Sequence, residues 1–196
     1  MPYHNDTANL ADSVVHRRRM IDIDNDCYFN EEMTSVNRLF GLKDLLDYYR
    51  VTRGWKIVEV GSYAGASAEL MAQYAGVVVC CDIWEPFLGA KVASKVYRSF
   101  LKTKSRNKNI VETRGYSETV AKEFGKETID MVYIDADHSY DSVKADILAW
   151  SDKVKVGGLI AGHDYCMPDV SRAVDEIFKK ENIRYFKDSS WAFVKK

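Results

Sequence analysis

The chain alternates between short apolar runs and longer segments in which apolar residues recur at helical intervals. The short runs predict seven strands: Lys56–Val60, Val77–Cys81, Ile110–Thr113, Ile129–Ile134, Gly158–Ala161, Ile183–Phe186 and Trp191–Val194. The periodic segments predict six helices: Glu31–Arg50, Ala66–Tyr74, Lys91–Thr103, Ser117–Phe124, Ser139–Trp150 and Asp169–Glu181. Strands that alternate with helices form parallel sheets. We therefore expect an α/β fold with a mostly parallel seven-stranded sheet, helices on both faces and an antiparallel C-terminal hairpin.

Residues 51–196 contain the whole predicted sheet, and we expect them to form one ligand-binding domain. Residues 1–50 are predicted to form an N-terminal arm and helix that serve as a lid, as part of an acceptor pocket or as a dimer contact. In an open parallel sheet, ligands bind beyond the carboxyl ends of the strands, near the point where the strand order reverses. The residues that directly follow each strand are therefore the candidates for chemistry.

The first predicted strand leads into a glycine-containing loop, Gly61–Gly65, which opens the next helix. Its glycines permit a tight turn and a close approach of the backbone to a ligand. A dinucleotide-binding loop carries a third glycine, whereas this loop has two, and Glu59 stands two positions before the first. The Glu59 carboxylate would repel a pyrophosphate and would suit a cationic amino group, such as that of S-adenosylmethionine. A plain glycine turn is the alternative.

Two further strand ends offer contacts to a nucleoside. Asp82 ends the second strand, where a carboxylate can accept hydrogen bonds from both ribose hydroxyls. Ile83 and Trp84, which follow it, are candidates to flank an adenine. Ser117 is predicted to cap the helix after the third strand and, from that position, to touch the rim of the adenine. A surface or capping role for Asp82 and a purely capping role for Ser117 are the alternatives.

The fourth and fifth predicted strands both end in acidic and histidine side chains. Asp135, Asp137 and His138 follow the fourth strand, and His163 and Asp164 follow the fifth. Carboxylate oxygens suit Mg²⁺, and an imidazole ligand at His163 would also admit Mn²⁺, Fe²⁺ or Zn²⁺. His138 is a candidate general base toward a substrate hydroxyl. The alternatives are that Asp137 only caps the following helix and that the histidines are structural.

Composition limits the class of partner. The chain has 196 residues, of which 46% are hydrophobic and 29% charged, and its net charge is -1. We expect no nucleic-acid or membrane partner, because binding to phosphate backbones requires an excess of basic residues. The four cysteines include no CxxC pair, and the N-terminus has no apolar signal core. A reducing, cytoplasmic location is therefore expected.

Several of these segments together resemble a known enzyme family. Glu59–Ser67 resembles motif I of the catechol and caffeoyl-CoA O-methyltransferases, and Asp135–Asp137 with Gly157–Ile160 is similar to their metal motifs. The combination of Asp135–Tyr140 and Gly162–Tyr165 resembles more closely a bacterial branch of small class I methyltransferases, near the macrolide-sugar O-methyltransferases. The resemblance extends from the first predicted strand to the C-terminus. It implies the Rossmann-like class I methyltransferase fold.

The loop positions and the resemblance together assign roles to the candidate residues. S-adenosylmethionine would be bound by Glu59, Gly61, Ser62, Tyr63, Gly65, Ser67, Asp82, Ile83, Ser117 and Asp135. Asp135, His163 and Asp164 would bind a divalent cation, and His138 with Asp135 would be catalytic. His163 stands where the plant and animal enzymes carry a metal-binding aspartate, which leaves the presence and identity of a metal open. His138 stands where they carry a catalytic lysine, so a proton acceptor is kept.

The leading hypothesis is methyl transfer from S-adenosylmethionine to a hydroxyl of a small-molecule acceptor, with or without Mg²⁺ or another divalent cation. The alternatives are a metal-independent methyltransferase and a non-catalytic S-adenosylmethionine-binding module; the missing third glycine disfavours an NAD-dependent oxidoreductase. The acceptor pocket is expected to involve the N-terminal arm and the segments Trp84–Ala90 and Tyr165–Val170. There Trp84, Phe87 and Tyr165 would either line the pocket or pack as core. The family and the arm also suggest a homodimer.

Overall fold

The structure, a computed structural model, describes residues 39–84 and 90–196 of the chain. The strands are β1 (Lys56–Val60), β2 (Val77–Asp82), β3 (Ile110–Arg114), β4 (Ile129–Ile134), β5 (Val154–Gly162), β6 (Arg184–Tyr185) and β7 (Trp191–Val194). The α-helices are α1 (Phe40–Tyr48), α2 (Ala66–Tyr74), α3 (Ala90–Arg106), α4 (Ser117–Ala121), α5 (Tyr140–Ser151) and α6 (Pro168–Phe178). A short 3₁₀ turn, Lys180–Asn182, follows α6.

The seven strands form one sheet in the order β3-β2-β1-β4-β5-β7-β6. Strands β1 to β5 run parallel, and β7 lies antiparallel between β5 and β6. The predicted fold class is therefore confirmed, including the antiparallel C-terminal hairpin. The strand order reverses between β1 and β4, so the carboxyl ends of these two central strands flank the crevice in which such sheets bind ligands.

Each face of the sheet has its own hydrophobic core. One core packs β-sheet residues against α4, α5 and α6, and the other packs them against α1, α2 and α3. Successive strand residues point to opposite faces, so Cys80 belongs to the second core and Cys81 to the first, as the alternation predicts. Among the helices of the described residues, none has both the length and the apolar character needed to cross a membrane.

Four elements, β1, β4, β7 and α2, have the predicted bounds. Strand β5 begins earlier than predicted, at Val154. The three residues after Val154 are exposed, so this part of the strand lacks the apolar run from which a buried strand is predicted. Helix α6 ends earlier than predicted, at Phe178, because Lys179 adopts a left-handed φ of +60°. Helix α3 extends further, to Arg106, and α4 ends sooner, at Ala121.

Helix α1 belongs to the core of the domain. Of the predicted helix Glu31–Arg50, the structure describes the part from Phe40 onward, and residues 1–38 lie outside the described residues. Leu42, Leu45 and Leu46 are fully buried in the second core. Although α1 falls within the predicted N-terminal unit of residues 1–50, it therefore packs in the same core as β1 and β2.

Candidate active site

Gly61 lies where the tip of β1 meets the tip of β4. Its φ is +88°, and a Cβ atom there would lie 2.2 Å from the carbonyl oxygen of Asp135. The Asp135 N–H donates to the Val60 carbonyl at 2.8 Å and holds the two tips together. Gly65, which precedes α2, also has a positive φ, of +86°. Both glycines of the predicted loop are therefore required by the backbone conformation.

Glu59 is completely buried beneath this loop. It accepts a hydrogen bond from the Ser67 hydroxyl on α2, and the Cys80 thiol donates to its other oxygen at 3.6 Å. Burial raises the pKa of Glu59 to about 7, although the neighbouring Ser62 and Ser67 side chains lower it. Glu59 and Ser67, which are both predicted to bind S-adenosylmethionine, thus bind each other and anchor the loop to α2. Their contact with a ligand stays a prediction.

Asp82 ends β2 with both carboxylate oxygens held by the backbone. The Tyr63 N–H donates to Oδ2 at 2.8 Å, and the Trp84 N–H donates to Oδ1 at 2.7 Å. A carboxylate can accept about four hydrogen bonds, so each oxygen keeps capacity for a ribose hydroxyl. Ile83 is half-buried beside it, and the Tyr63 ring is 52% exposed at the same edge. The arrangement suits the predicted ribose contact.

The aromatic residues predicted for an acceptor pocket have other partners. Trp84 is buried, its ring centroid lies 4.4 Å from that of Phe100, and its indole N–H donates to the Tyr63 carbonyl at 2.9 Å. The Tyr165 hydroxyl donates to Asp175 of α6 at 2.6 Å. Of the two alternatives, core packing therefore holds for Trp84, and Tyr165 contacts α6. Phe87 and most of the loop Trp84–Ala90 lie outside the described residues.

The prediction that Ser117 caps α4 is wrong. Tyr116 occupies the capping position and Ser117 is the first residue of the helix. The Ser117 hydroxyl oxygen instead accepts a hydrogen bond of 2.8 Å from the indole N–H of Trp150, on the neighbouring helix α5. The buried indole N–H needs an acceptor. Because Ser117 provides it, the serine side chain points toward α5. The predicted contact of Ser117 with adenine stays a prediction.

The tips of β4 and β5 bring together one histidine and two carboxylates. His138 Nε2 lies 2.7 Å from Asp164 Oδ2 and 3.5 Å from Asp135 Oδ1. Ligand atoms of these three residues all lie within 4.8 Å of one another. The Asp164 side chain is 1% exposed, whereas His138 and Asp135 are 25% and 30% exposed, so the group opens to solvent on one side. We call these three residues the acid centre.

His163 contacts both carboxylates of the acid centre. Its Nδ1 lies 3.2 Å from Asp164 Oδ1 and 4.0 Å from Asp135 Oδ1. The predicted metal set was Asp135, His163 and Asp164, whereas the group whose ligand atoms converge contains His138 in place of His163. The Asp164 carboxylate lies between the two imidazoles, with Oδ2 2.7 Å from His138 and Oδ1 3.2 Å from His163. The metal assignment itself stays a prediction.

A family model described as a methyltransferase domain matches residues 58–165, more than half of the chain. The matched segment runs from β1 to the residues directly after β5, and it includes every residue that we assigned to the site. The chain belongs to this methyltransferase family. The order of the sheet is that of the Rossmann-like methyltransferase fold, which agrees with the family.

Solved structures share the fold at low sequence identity. The TDP-rhamnose 3'-O-methyltransferase of calicheamicin biosynthesis is 13% identical, with 98% of this chain and 96% of that chain covered and a TM-score of 0.61. Precorrin 8w decarboxylase from Methanobacterium thermoautotrophicum is 15% identical, with 83% and 82% covered and a TM-score of 0.58. Fibrillarin from Aeropyrum pernix, solved with bound S-adenosyl-L-methionine, is 15% identical, with 72% and 66% covered and a TM-score of 0.52.

At these identities the likeness concerns the fold alone. Against four other solved structures, this chain spans 34% to 49% of the other protein's length. No significant match was found among curated proteins.

Charges within the acid centre of this methyltransferase compensate one another. Burial alone would lower the pKa of His138, but its contacts with Asp135 and Asp164 outweigh burial and raise the pKa to about 9. The same opposition between burial and carboxylate contacts raises the pKa of His163 to about 9. Burial would raise the pKa of Asp164, yet the two histidines hold it well below its ordinary value. A divalent cation at these oxygens would compete with the imidazole protons.

Asp137 lies beside the acid centre in the sequence, but its side chain accepts a hydrogen bond from the backbone at the start of α5. Its Oδ1 accepts the N–H of Ser139 at 2.7 Å, and this backbone hydrogen bond is the main cause of its lowered pKa. The alternative that Asp137 supports the beginning of the helix therefore accounts for its contacts in the structure.

Sequence reasoning missed a polar pair on α5, Asp146 and Trp150. Both are buried, and both are linked to Ser117. A signal was present, because Asp146 occupies the same helical stripe as the buried residues Val143 and Ile147. An acid on the apolar stripe of a helix is rarely buried without a specific partner.

Proposed function

We propose that this chain transfers the methyl group of S-adenosylmethionine to a hydroxyl of a small-molecule acceptor and that His138 accepts the hydroxyl proton. The observation that carries this proposal is the acid centre, in which His138 Nε2 lies 2.7 Å from Asp164 and 3.5 Å from Asp135. These residues stand at the tips of β4 and β5, beside the point where the strand order reverses. Catalytic groups and cofactor would thus meet in one crevice.

The cofactor would lie over the tips of β1, β2 and β3. The two oxygens of Asp82 retain capacity for the ribose hydroxyls, because the backbone uses only one acceptor position on each. At Gly61 no side chain separates the tips of β1 and β4, since a Cβ there would clash with the Asp135 carbonyl oxygen. The methyl group would then face the acid centre through Asp135.

The transfer is an in-line displacement. The acceptor oxygen forms a bond to the methyl carbon while the bond between that carbon and sulfur breaks, and the released electron pair neutralises the sulfonium. The hydroxyl proton passes to a ring nitrogen of His138 in its neutral form, which predominates above its pKa of about 9. Asp164 orients the imidazole and stabilises the cation that forms, as a buried carboxylate does in other histidine-based sites. Positioning of the two reactants supplies much of the rate.

Asp135 and Asp164 also fit a hard divalent cation such as Mg²⁺. Their oxygens converge with His138 Nε2 within 4.8 Å, and the remaining positions would be open to solvent and acceptor. A bound cation would lower the pKa of the acceptor hydroxyl and disfavour protonation of His138. The metal-independent reaction is the second candidate, and one observation favours it: imidazoles already contact both carboxylates.

A chelation experiment separates the two candidates. The protein is treated with EDTA and assayed for methyl transfer before and after Mg²⁺ or Mn²⁺ is added back. The metal-assisted proposal predicts a loss of turnover of about a hundredfold, restored by the cation, with unchanged affinity for S-adenosylhomocysteine. Turnover that is unaffected by EDTA would remove the cation from the mechanism and leave His138 as the sole base.

The acceptor class is tested by transfer of a radiolabelled methyl group from S-adenosylmethionine to a panel of small molecules. The panel pairs hydroxyl compounds, including catechols and nucleotide sugars, with amines of matched shape. The proposal predicts label on the hydroxyl oxygen. Label on the amines alone would contradict O-methylation, and binding of S-adenosylhomocysteine without transfer to any compound would favour a binding module.

A further inference from the structure

Two buried side chains of α5, Asp146 and Trp150, lie close to the half-buried Ser117, at the start of α4. The indole N–H of Trp150 donates to the Ser117 hydroxyl oxygen at 2.8 Å, and the carboxyl of Asp146 lies close enough to the Ser117 side chain to interact with it. A hydroxyl has one hydrogen to donate. Because Ser117 accepts from the indole, its own hydrogen is available for Asp146. The serine side chain is thereby fixed within the protein.

Burial of the Asp146 carboxylate at this position costs stability, because the charged group loses its contact with water. It is 6% exposed, and burial raises its pKa to about 6, with Glu118 and Asp137 adding to the effect. A leucine or alanine on this stripe of α5 would avoid the desolvation of a carboxylate. Residues that break a local rule without an evident gain in stability are expected where a site depends on them. Ser117, with which Asp146 interacts, directly follows the loop after β3.

The same loop is tied to the tip of β2. The Gly115 N–H donates to the carbonyl of Asp82 at 3.0 Å, and the Cys81 thiol contacts the Gly115 carbonyl at 3.8 Å. The Arg114 guanidinium donates to the carbonyl of Ile83 at 2.9 Å. The loop that carries Ser117 therefore has a fixed position relative to Asp82, the proposed ribose contact. A shift of the loop would move one side of the nucleoside site against the other.

We propose that Asp146 is a positioning residue for the adenine end of the cofactor, acting through Ser117 to hold the loop between β3 and α4. This inference rests on the proposed placement of S-adenosylmethionine over β1, β2 and β3. Asp146 itself does not touch the cofactor. Its effect is transmitted by the serine that links α5 to the loop, while Trp150 completes the hydrogen bonding from the same helix.

Calorimetric titration with S-adenosylhomocysteine tests the proposal on the whole chain. Asp146→Ala should weaken binding about tenfold, because the interaction that holds Ser117 is lost. Asp146→Asn keeps an oxygen that can accept from Ser117 and should bind within about threefold of the parent. Ser151→Ala is the matched control: it removes a side-chain hydrogen bond to Ile147 on the same helix and should leave the affinity unchanged.

A second variant covers the case in which Asp146→Ala does not fold. Trp150→Phe keeps an aromatic ring and removes only the indole donor, and it should weaken S-adenosylhomocysteine binding about threefold to tenfold. Thermal unfolding of each variant separates lost stability from lost affinity. Combined with Ser117→Ala, Asp146→Ala should add little further loss, because the two residues act through one contact.

The outcomes separate this inference from the proposed function. If the parent binds S-adenosylhomocysteine and every variant at 146 and 150 binds it equally well, Asp146 has a structural role only and the inference is overturned. If the parent itself does not bind S-adenosylhomocysteine, the placement of the cofactor is wrong, and both fail. Rescue by Asp146→Asn together with unchanged binding by Ser151→Ala would support the positioning role.

Discussion

The carboxyl edge of the sheet has two halves, and they differ in the groups that contact their acidic side chains. Around β1, β2 and β3, Asp82 is held by two backbone N–H groups. Around β4 and β5, Asp164 is held by two imidazoles, from His138 and His163. Both acids stand at strand tips. The first is set in neutral contacts that suit binding, and the second is set among ionisable groups that can exchange protons.

These partners suggest different roles for the two halves, one in cofactor binding and the other in proton transfer. Backbone donors fix a carboxylate without changing its charge, and they leave its remaining acceptor positions available to a ligand. Histidine partners instead couple a carboxylate to proton transfer, because an imidazole ring nitrogen can accept and release a proton. We therefore propose that the first half binds the cofactor and that the second half carries the chemistry. Gly61 is the point at which the two halves touch.

The largest expected effect comes from His138→Ala. Removing the proposed base should lower methyl transfer by about 10² to 10⁴, while affinity for S-adenosylhomocysteine stays within about twofold. Steady-state rates and calorimetry on the same preparation measure the two quantities. Turnover equal to that of the parent would remove His138 from the mechanism and weaken the division between the halves.

Gly61→Ala should disturb both halves at once. A Cβ would lie 2.2 Å from the Asp135 carbonyl oxygen, and the φ of +88° disfavours any residue with a side chain. We expect a loss of about 3 kcal/mol in the free energy of unfolding, together with weaker S-adenosylhomocysteine binding. Urea denaturation and calorimetry check this. Gly54→Ala is the control, because a Cβ there would meet only the Thr52 hydroxyl, at 3.7 Å.

The smallest effect is a pH-dependent gain from Asp146→Asn. Because burial raises the pKa of Asp146 to about 6, the folded state binds its proton more tightly than the unfolded state does. The cost of the buried charge is therefore absent well below the ordinary carboxyl pKa, and it grows with pH until the folded pKa is passed.

Asp146→Asn removes this cost. The variant should match the parent near pH 4 and exceed its free energy of unfolding by up to about 2 kcal/mol above pH 7. Urea denaturation across this range measures the difference. A gap between variant and parent that is the same at both ends of the range would contradict the linkage.

Much of the fold was predictable because its signals are local. Strands β1 and β4 are short and mostly apolar, and the glycines at 61 and 65 mark a turn in which the backbone requires a positive φ. The candidate site followed from the topology, since the ends of parallel strands share one edge. The sequence therefore predicts that Asp135, His138 and Asp164 lie at the same edge, and the structure brings them together.

The details that failed depend on distant partners. Ser117 was predicted as a cap, yet its hydroxyl is used by Trp150, which lies far along the chain on α5. No local pattern around Ser117 indicates this contact. The role of His163 as a metal ligand stays a prediction, but the imidazole whose ligand atom converges with those of Asp135 and Asp164 is that of His138. No local pattern distinguishes the two histidines, because the grouping depends on how side chains from two strand ends meet.

The most direct test of the division between the halves is a calorimetric titration of S-adenosylhomocysteine into Asp82→Ala and His138→Ala. The account predicts that Asp82→Ala weakens binding by about a hundredfold, since it removes hydrogen bonds to a charged group and the anchor of the Gly61–Gly65 loop. It predicts that His138→Ala binds as the parent does. Equal losses in both variants, or a loss confined to His138→Ala, would contradict it.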